Sequence, residues 1–186
     1  MKVISVNIGG KKEVVYKDKL VTTGIFKKPV QHAILLGIEN VTNDAVVDRK
    51  NHGGIKQAVY AYGKNHYDYW RELYPDLDWH YGMFGENLTI ENLEETEINV
   101  GSIYRLGKTL IEVTKPRTPC FKLGLVFNTQ TVLKQFWNST KCGVYFKVLQ
   151  KGEVKAGDKL ILMTEMNSTP TIAAVYQAKR IKKGLF

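Results

Sequence analysis

The residues around Cys120 carry the clearest chemical signal in the sequence, which reads TKPRTPCFKL over residues 114–123. Pro116 and Pro119 each fix their own φ angle and restrict the residue before them, so the chain that carries Cys120 is predicted to be stiff. Arg117 and nearby lysines flank the cysteine in sequence, and a cation close to a thiol lowers its pKa by favouring the thiolate. Because the thiolate is the form that binds metals and attacks electrophiles, these residues favour a metal-binding or nucleophilic cysteine over a buried structural one.

Residues 48–60 form a second candidate site, centred on a His-Gly-Gly sequence. Gly53 and Gly54 permit positive φ angles, so successive backbone N–H groups can form a nest that holds an anion. His52 and Lys56 would add a donor and a positive charge. The same sequence also describes an ordinary turn before a strand, and no glycine-lysine-serine/threonine ending marks it as a Walker loop.

Residues 82–90, which read GMFGENLTI, form a third candidate. The Asn87 side chain can donate and accept hydrogen bonds at once, which suits the edge of a pterin or purine ring. An asparagine in a simple turn is the competing interpretation. The remaining histidines lack the spacing of a zinc site and receive no role: His32, His66 and His80.

The elements that must position these residues are mostly short strands. Glycine and polar residues recur about every ten residues and separate segments rich in β-branched and aromatic residues, which is typical of a barrel or sandwich. The predicted strands cover residues 2–8, 13–16, 58–62, 103–106 and 110–114.

Three helices are predicted between and after these strands. Aromatic residues at helical spacing predict one over residues 64–74, ended by Pro75, and a second begins near Asn128 or Thr129. A third follows Pro170 and ends in a basic run that suits the helix dipole, with a solvated tail as the alternative.

Length and composition indicate one soluble globular domain. The chain has 186 residues, of which 44% are hydrophobic and 24% charged, far from the balance of disordered proteins. Its 27 basic and 18 acidic residues give a net charge of +9, which favours anionic partners such as nucleic acid, phosphorylated cofactors or an acidic protein. The two cysteines, the lack of a signal peptide and the absence of a long apolar run together predict a cytoplasmic protein.

Taken in order, the three candidate segments and the late segment 143–149 (GVYFKVL) resemble the MOSC family, named after the C-terminal domain of molybdenum cofactor sulfurase. The similarity is greatest to small bacterial members akin to N-hydroxylaminopurine resistance proteins. Its most specific element is Pro-Arg-x-Pro-Cys at residues 116–120. The resemblance implies a mainly β fold, an antiparallel β-barrel of the MOSC and pyruvate-kinase type with a few short peripheral helices. The barrel would span residues 1–165, and residues 166–186 would form a short basic helix or tail.

The resemblance also implies a cofactor and a set of roles. The cofactor is the molybdenum-pterin cofactor, with Cys120 as a metal ligand and Arg117 as a charge-neutralising catalytic residue. Glu86 would relay a proton to the leaving hydroxyl, with a structural hydrogen bond as the alternative. The residues implied to bind the cofactor are His52, Gly53, Gly54, Lys56, Asn87, Arg117 and Thr118.

Enzymes similar to this chain reduce N-hydroxylated bases and related small molecules to amines, with electrons from a separate flavin or iron–sulfur reductase. Two alternatives remain open beside this expectation. One is a molybdopterin or sulfur carrier without turnover. The other is a basic barrel that binds nucleic acid, which is disfavoured because the lysines are spread along the chain. A cysteine hydrolase is less favoured still, since no histidine is placed by a motif to act as its base.

Overall fold

The computed structural model of the chain describes residues 1–48 and 52–185 and is mainly β. Its described strands are β1 (Lys2–Ile8), β2 (Lys12–Tyr16), β3 (Lys19–Thr23), β4 (Lys28–Val30), β5 (Ile34–Leu36), β6 (Val59–Gly63), β7 (Leu88–Glu91), β8 (Ile103–Leu106), β9 (Thr109–Pro116), β10 (Val144–Gln150), β11 (Gly152–Val154) and β12 (Leu160–Thr164). All five sequence segments predicted as strands are strands, with differences of one or two residues at some ends. The expectation of a mainly β protein is therefore confirmed.

Eight of these strands form one sheet in the order β12-β8-β9-β10-β6-β7-β1-β4. The pairs β2–β3 and β5–β11 form two separate two-stranded sheets. Every pair in the large sheet is antiparallel except β6–β7, which is parallel because a helical crossover connects the two strands. The sheet is thus mainly antiparallel, as expected from the sequence, with this one parallel pair among the described strands.

The large sheet is not closed into a barrel by a continuous strand ladder. Among the described residues, β1 approaches the chain before β12 through one isolated bridge, Lys2 to Lys159. Backbone N–H groups of Val3 and Leu160 donate across this gap, to Asp158 at 2.9 Å and to Met1 at 3.0 Å. The barrel expected from the sequence is therefore not confirmed.

Four α-helices pack around the sheet in the described part of the chain: α1 (His66–Leu73), α2 (Phe121–Val126), α3 (Thr131–Ser139) and α4 (Ile172–Lys182). The three predicted helices correspond to α1, α3 and α4. The sequence did not predict α2, which begins directly after Cys120. Its six residues are too few to show a helical repeat of apolar positions. No helix among residues 1–48 and 52–185 has the length and hydropathy needed to cross a membrane.

Aromatic side chains join the helices to the sheet. Tyr62 of β6 stacks on Phe84 at a centroid distance of 4.2 Å and accepts a 2.7 Å hydrogen bond from the indole of Trp70. The C-terminal helix α4 packs against α3, where Tyr176 stacks on Trp137 at a centroid distance of 5.1 Å and both side chains are buried. Residues 172–182 thus form a docked helix and not a solvated tail, while the proposed boundary at residue 165 stays a prediction.

Candidate functional site

A cleft with about 610 Å³ of empty space, part of it open to solvent, contains Cys120. One wall is formed by the chain after β9 and by neighbouring aromatic residues, namely Arg117, Cys120, Lys122, Tyr60 and Tyr145. A second wall comes from the N-terminal part of the chain, namely residues 23–25, Lys27 and residues 44–48. The cleft therefore joins segments that are far apart in sequence.

Cys120 lies at the junction of the stiff post-β9 segment and α2. It has an extended backbone, with φ −129° and ψ 167°, and a free, half-buried thiol. Burial raises the pKa of this thiol, but the His52 ring, the Arg117 charge and the Lys122 backbone N–H lower it to about 7, from an ordinary 9.0. A substantial fraction is therefore thiolate near neutral pH, as expected from the flanking cations.

Arg117 is buried beside Cys120, with 5% of its surface exposed. Its guanidinium lies 4.9 Å from the centre of the Tyr60 ring. Burial lowers the pKa of Arg117, but Tyr60, Tyr145 and Cys120 raise it above the ordinary value, so the group stays charged. Within the described residues, its Nε and Nη1 atoms are buried without a hydrogen-bond partner. Because unpaired buried donors are costly, these two atoms indicate a place for an anionic ligand.

Lys27 and Asp44 form a buried ion pair on the second wall. The Asp44 carboxylate also accepts hydrogen bonds from the Gly9 backbone N–H at 3.0 Å and from the Asn87 side chain at 3.0 Å. Gly24 brings the two segments of this wall together, since a Cβ at this position would lie 1.9 Å from the Ala45 carbonyl oxygen. A larger residue at position 24 would therefore push the segments apart.

Four of the site residues predicted from the sequence line the cleft: His52, Asn87, Arg117 and Cys120. The other predicted cofactor-binding residues are not in its described wall, namely Gly53, Gly54, Lys56 and Thr118. Gly54 has the positive φ, +87°, that the sequence suggested. Lys56 is exposed, and its backbone carbonyl accepts a 2.7 Å hydrogen bond from Thr114. Their roles toward a cofactor stay predictions.

Glu86 is not in the described wall of the cleft, and its role as a proton relay stays a prediction. Its side chain is fully buried and accepts hydrogen bonds from the Gly82 N–H at 2.8 Å, the Phe84 N–H at 3.1 Å, the Thr89 hydroxyl at 2.9 Å and the Tyr67 hydroxyl. Burial raises the pKa of Glu86, against the effect of these hydrogen bonds. The carboxylate holds the 82–86 loop together, which is the physical reason for its position.

Replacing Glu86 by glutamine is expected to reduce the stability of the fold. The amide nitrogen of glutamine cannot accept a hydrogen bond, so at least one buried donor loses its partner, at a cost of about 1–3 kcal/mol. Thermal unfolding should show a melting temperature lower by about 2–4 °C per kcal/mol. Glu91→Gln, at the exposed end of β7, is the control and should melt like the wild type. An unchanged melting temperature for Glu86→Gln would contradict the structural role.

Sequence reasoning missed the second wall of the cleft. Lys27 and Asp44 carry no motif, and both lie far in sequence from Cys120. Tyr145 was part of a recognised segment but had no role. Tyr60 has a weak signal, because it follows the His-Gly-Gly segment in a predicted strand. Only packing brings these side chains around the same space.

The pH dependence of Cys120 alkylation tests the electrostatics of this site. In metal-free protein, the reaction with iodoacetamide should rise with pH through a midpoint of about 7, because only the thiolate reacts. His52→Ala should move the midpoint upward, since it removes groups that lower the pKa. Cys142 is fully buried and burial raises its pKa, so Cys120→Ala should leave little reaction. A midpoint near 9 for the wild type would contradict this arrangement of charges.

The cleft has few metal ligands of its own. Among the residues that the structure describes, no cluster of three or more His, Cys, Asp or Glu side chains could hold a metal ion. A metal at Cys120 would have to bring most of its ligands with it, as a metal held by an organic cofactor does. The unpaired donors of Arg117 and the thiolate character of Cys120 fit an anionic cofactor of this kind.

Comparisons with known proteins agree with the fold and the motifs. The sequence model of the MOSC domain family matches residues 48–161 of this chain. The YflK protein of Bacillus subtilis is 35% identical over 162 residues, which are 87% of this chain and 73% of YflK. A reductase of Gibberella moniliformis is 34% identical over 146 residues, 77% of this chain but only 26% of the reductase. The crystal structure of YiiM from Geobacillus stearothermophilus superposes with a TM-score of 0.81 at 32% identity, covering 98% of this chain and 85% of YiiM.

Proposed function

We propose that this chain, which belongs to the MOSC domain family, binds the molybdenum-pterin cofactor in the Cys120 cleft and reduces N-hydroxylated compounds to amines. The observation that carries the proposal is the pairing of two features in one cleft. One is a half-buried thiol whose pKa is lowered to about 7, and the other is a buried arginine with two unpaired donor atoms. A soft, ionised ligand beside an unused cationic donor suits a metal carried by an anionic organic molecule.

Four residues of the cleft would each have a separate role in binding this cofactor. Cys120 would ligate molybdenum through its thiolate, and Arg117 would neutralise negative charge on the cofactor. His52 would keep the thiol ionised before the metal binds, through the hydrogen bond between them. Asn87 has its side-chain amide engaged with Asp44 and with the Tyr60 N–H at 3.3 Å, so it would shape the wall through these bonds.

When bound, the cofactor supplies the two-electron redox chemistry. The overall reaction is R–NH–OH with two electrons and two protons, giving R–NH₂ and water, so the nitrogen is reduced while the N–O bond breaks. The protein must hold the substrate beside the cofactor and provide a proton at the oxygen. Tyr60 and Tyr145 are buried and cover one side of the cleft, which lowers its polarity.

The proposal includes an electron donor and a location. A flavin or iron–sulfur reductase would donate the electrons, a small N-hydroxylated molecule such as an N-hydroxylated purine would be the substrate, and the reaction would take place in the cytoplasm. A relative that is called a reductase and is 34% identical over 146 residues supports redox chemistry. That relative is a much longer protein, of which this chain matches 26%, so its activity is not transferred as a whole.

A reconstituted reduction assay tests the proposed function. Molybdenum-loaded protein is mixed with a flavin reductase, reduced nicotinamide cofactor and an N-hydroxylated purine, and the amine is measured by chromatography. The wild type should form amine, and Cys120→Ala should form none above background. If the fully loaded wild type formed no more amine than the background reaction, the result would favour a cofactor or sulfur carrier without turnover.

A further inference from the structure

Lys27 is a buried cation that lines the same cleft as Cys120 and belongs to its second wall, which comes from the N-terminal part of the chain. Its side chain is 8% exposed and pairs with the Asp44 carboxylate. Two further donors, the Gly9 N–H and the Asn87 amide, fix that carboxylate. The Lys27 ammonium is therefore held by the Asp44 carboxylate, and both residues line the cleft where a ligand would bind.

Three other groups of the described cleft wall are poor proton donors near neutral pH. Burial raises the pKa of both Tyr60 and Tyr145, and the pKa of Arg117 is raised as well. The His52 ring is hydrogen-bonded to the Cys120 thiol, the metal ligand of the proposed function. Glu86, the relay expected from the sequence, lies outside this wall.

The pKa of Lys27 moves in the direction that a proton donor needs. Burial lowers it below the ordinary 10.5, against the Asp44 and Glu86 carboxylates that raise it, and the charge of Arg117 lowers it further. A donor works best when its pKa lies near the working pH, so this shift makes Lys27 a better acid than an exposed lysine.

We propose that Lys27 is the catalytic acid that protonates the departing hydroxyl of the N-hydroxylated substrate, with Asp44 as its positioning residue. The inference rests on the proposed function. The N–O bond breaks, two electrons come from the reduced flavin or iron–sulfur donor, and the oxygen takes the Lys27 proton to leave as water. The second proton, taken up by the nitrogen, and the proton that restores the Lys27 ammonium both come from solvent through the open side of the cleft.

This role predicts a pH profile with a basic limb. The charged form of Lys27 is active, so kcat should fall as the pH rises through the pKa of Lys27, which lies below 10.5. Asp44→Asn removes a carboxylate that raises this pKa and should move the basic limb to lower pH. Lys27→Arg keeps the positive charge but holds its proton too tightly, so it should be a poor acid at every working pH.

The test compares Lys27→Met, Lys27→Arg, Asp44→Asn and the matched control Lys28→Met, at the exposed neighbouring position. Molybdenum and pterin contents are measured first, and then kcat and KM against pH with an N-hydroxylated purine. Both Lys27 variants should keep wild-type cofactor content and KM but lose kcat by about 10²–10⁴-fold, the usual contribution of a catalytic acid. Lys28→Met should match the wild type. In metal-free protein, an NMR titration of labelled lysine should show the Lys27 midpoint below 10.5, and lower still in Asp44→Asn.

Three outcomes would overturn the inference. Loss of molybdenum and pterin from Lys27→Met would make Lys27 a cofactor-binding residue. If the wild type forms amine and the Lys27 variants have a kcat within a few-fold of it, only the inference is removed and the proposed function stands. Absence of amine from loaded wild type would remove both. If Lys27→Met fails to fold because Asp44 loses its partner, Lys27→Arg retains the charge and decides the question.

Discussion

Replacing Cys120 by alanine is expected to remove molybdenum from the protein, with a loss in affinity of at least about 100-fold. The reason is that the described residues offer no cluster of other side chains that could hold the metal. Arg117 and His52 would remain, so a small part of the cofactor, with the molybdenum that it carries, should still be bound through its charge. Elemental analysis for molybdenum, together with pterin fluorescence after denaturation, measures both losses separately.

Two control variants make this prediction sharper. Cys120→Ser keeps the shape of the side chain but replaces the soft sulfur by a hard oxygen, so it should retain much less metal than wild type. Cys142→Ala removes the other cysteine, which is fully buried and absent from the described cleft wall, and should keep its metal. Equal molybdenum in Cys120→Ala and wild type would exclude Cys120 as the ligand.

Replacing Arg117 by methionine is expected to weaken cofactor retention by about 10–100-fold, the usual effect of losing a group that supports a metal ligand. It removes the buried guanidinium whose Nε and Nη1 atoms have no described partner in the protein. It should also raise the pKa of Cys120 above about 7, since the charge of Arg117 helps to lower it. Molybdenum and pterin contents report the first effect, and the pH midpoint of Cys120 alkylation in metal-free protein reports the second.

Arg117→Lys separates charge from geometry. Lysine retains a positive charge but cannot present two N–H donors in a fixed plane, so its cofactor content should lie between those of Arg117→Met and wild type. Arg105→Met, at an exposed position of β8, is the matched control for loss of an arginine and should behave as wild type. If Arg117→Met kept full cofactor content and an unchanged alkylation midpoint, Arg117 would be a structural residue only.

The strands and helices could be predicted because their signals are local. Residues 103–106 carry β-branched and aromatic side chains between glycines, and residues 64–74 carry aromatic residues at helical spacing. The structure has β8 and α1 at these places. The short helix α2 could not be predicted, because its six residues are too few to show a repeat. The pairing of β6 with β7 was also invisible, since a parallel pair depends on how a long crossover packs.

For the candidate site too, some features follow from the local sequence and others only from the tertiary structure. The sequence by itself determined the family motifs, the stiff chain around Cys120 and the presence of cations nearby, because prolines and neighbouring charges act over a few residues. Only the tertiary structure decided which charges matter. Arg117 and His52 lower the pKa of the Cys120 thiol against the effect of burial, and Lys115 is not among the groups that lower it. The pKa of Lys115 itself is lowered by burial and then by Lys179 and Lys56.

The tertiary structure also decided that Glu86 holds a loop and that Lys27 and Asp44 complete the cleft. Burial and hydrogen-bond partners set the charge state of these groups, and both depend on contacts between segments far apart in the chain. Electrostatic interactions depend on distance and burial in space, which neighbouring letters of a sequence do not specify.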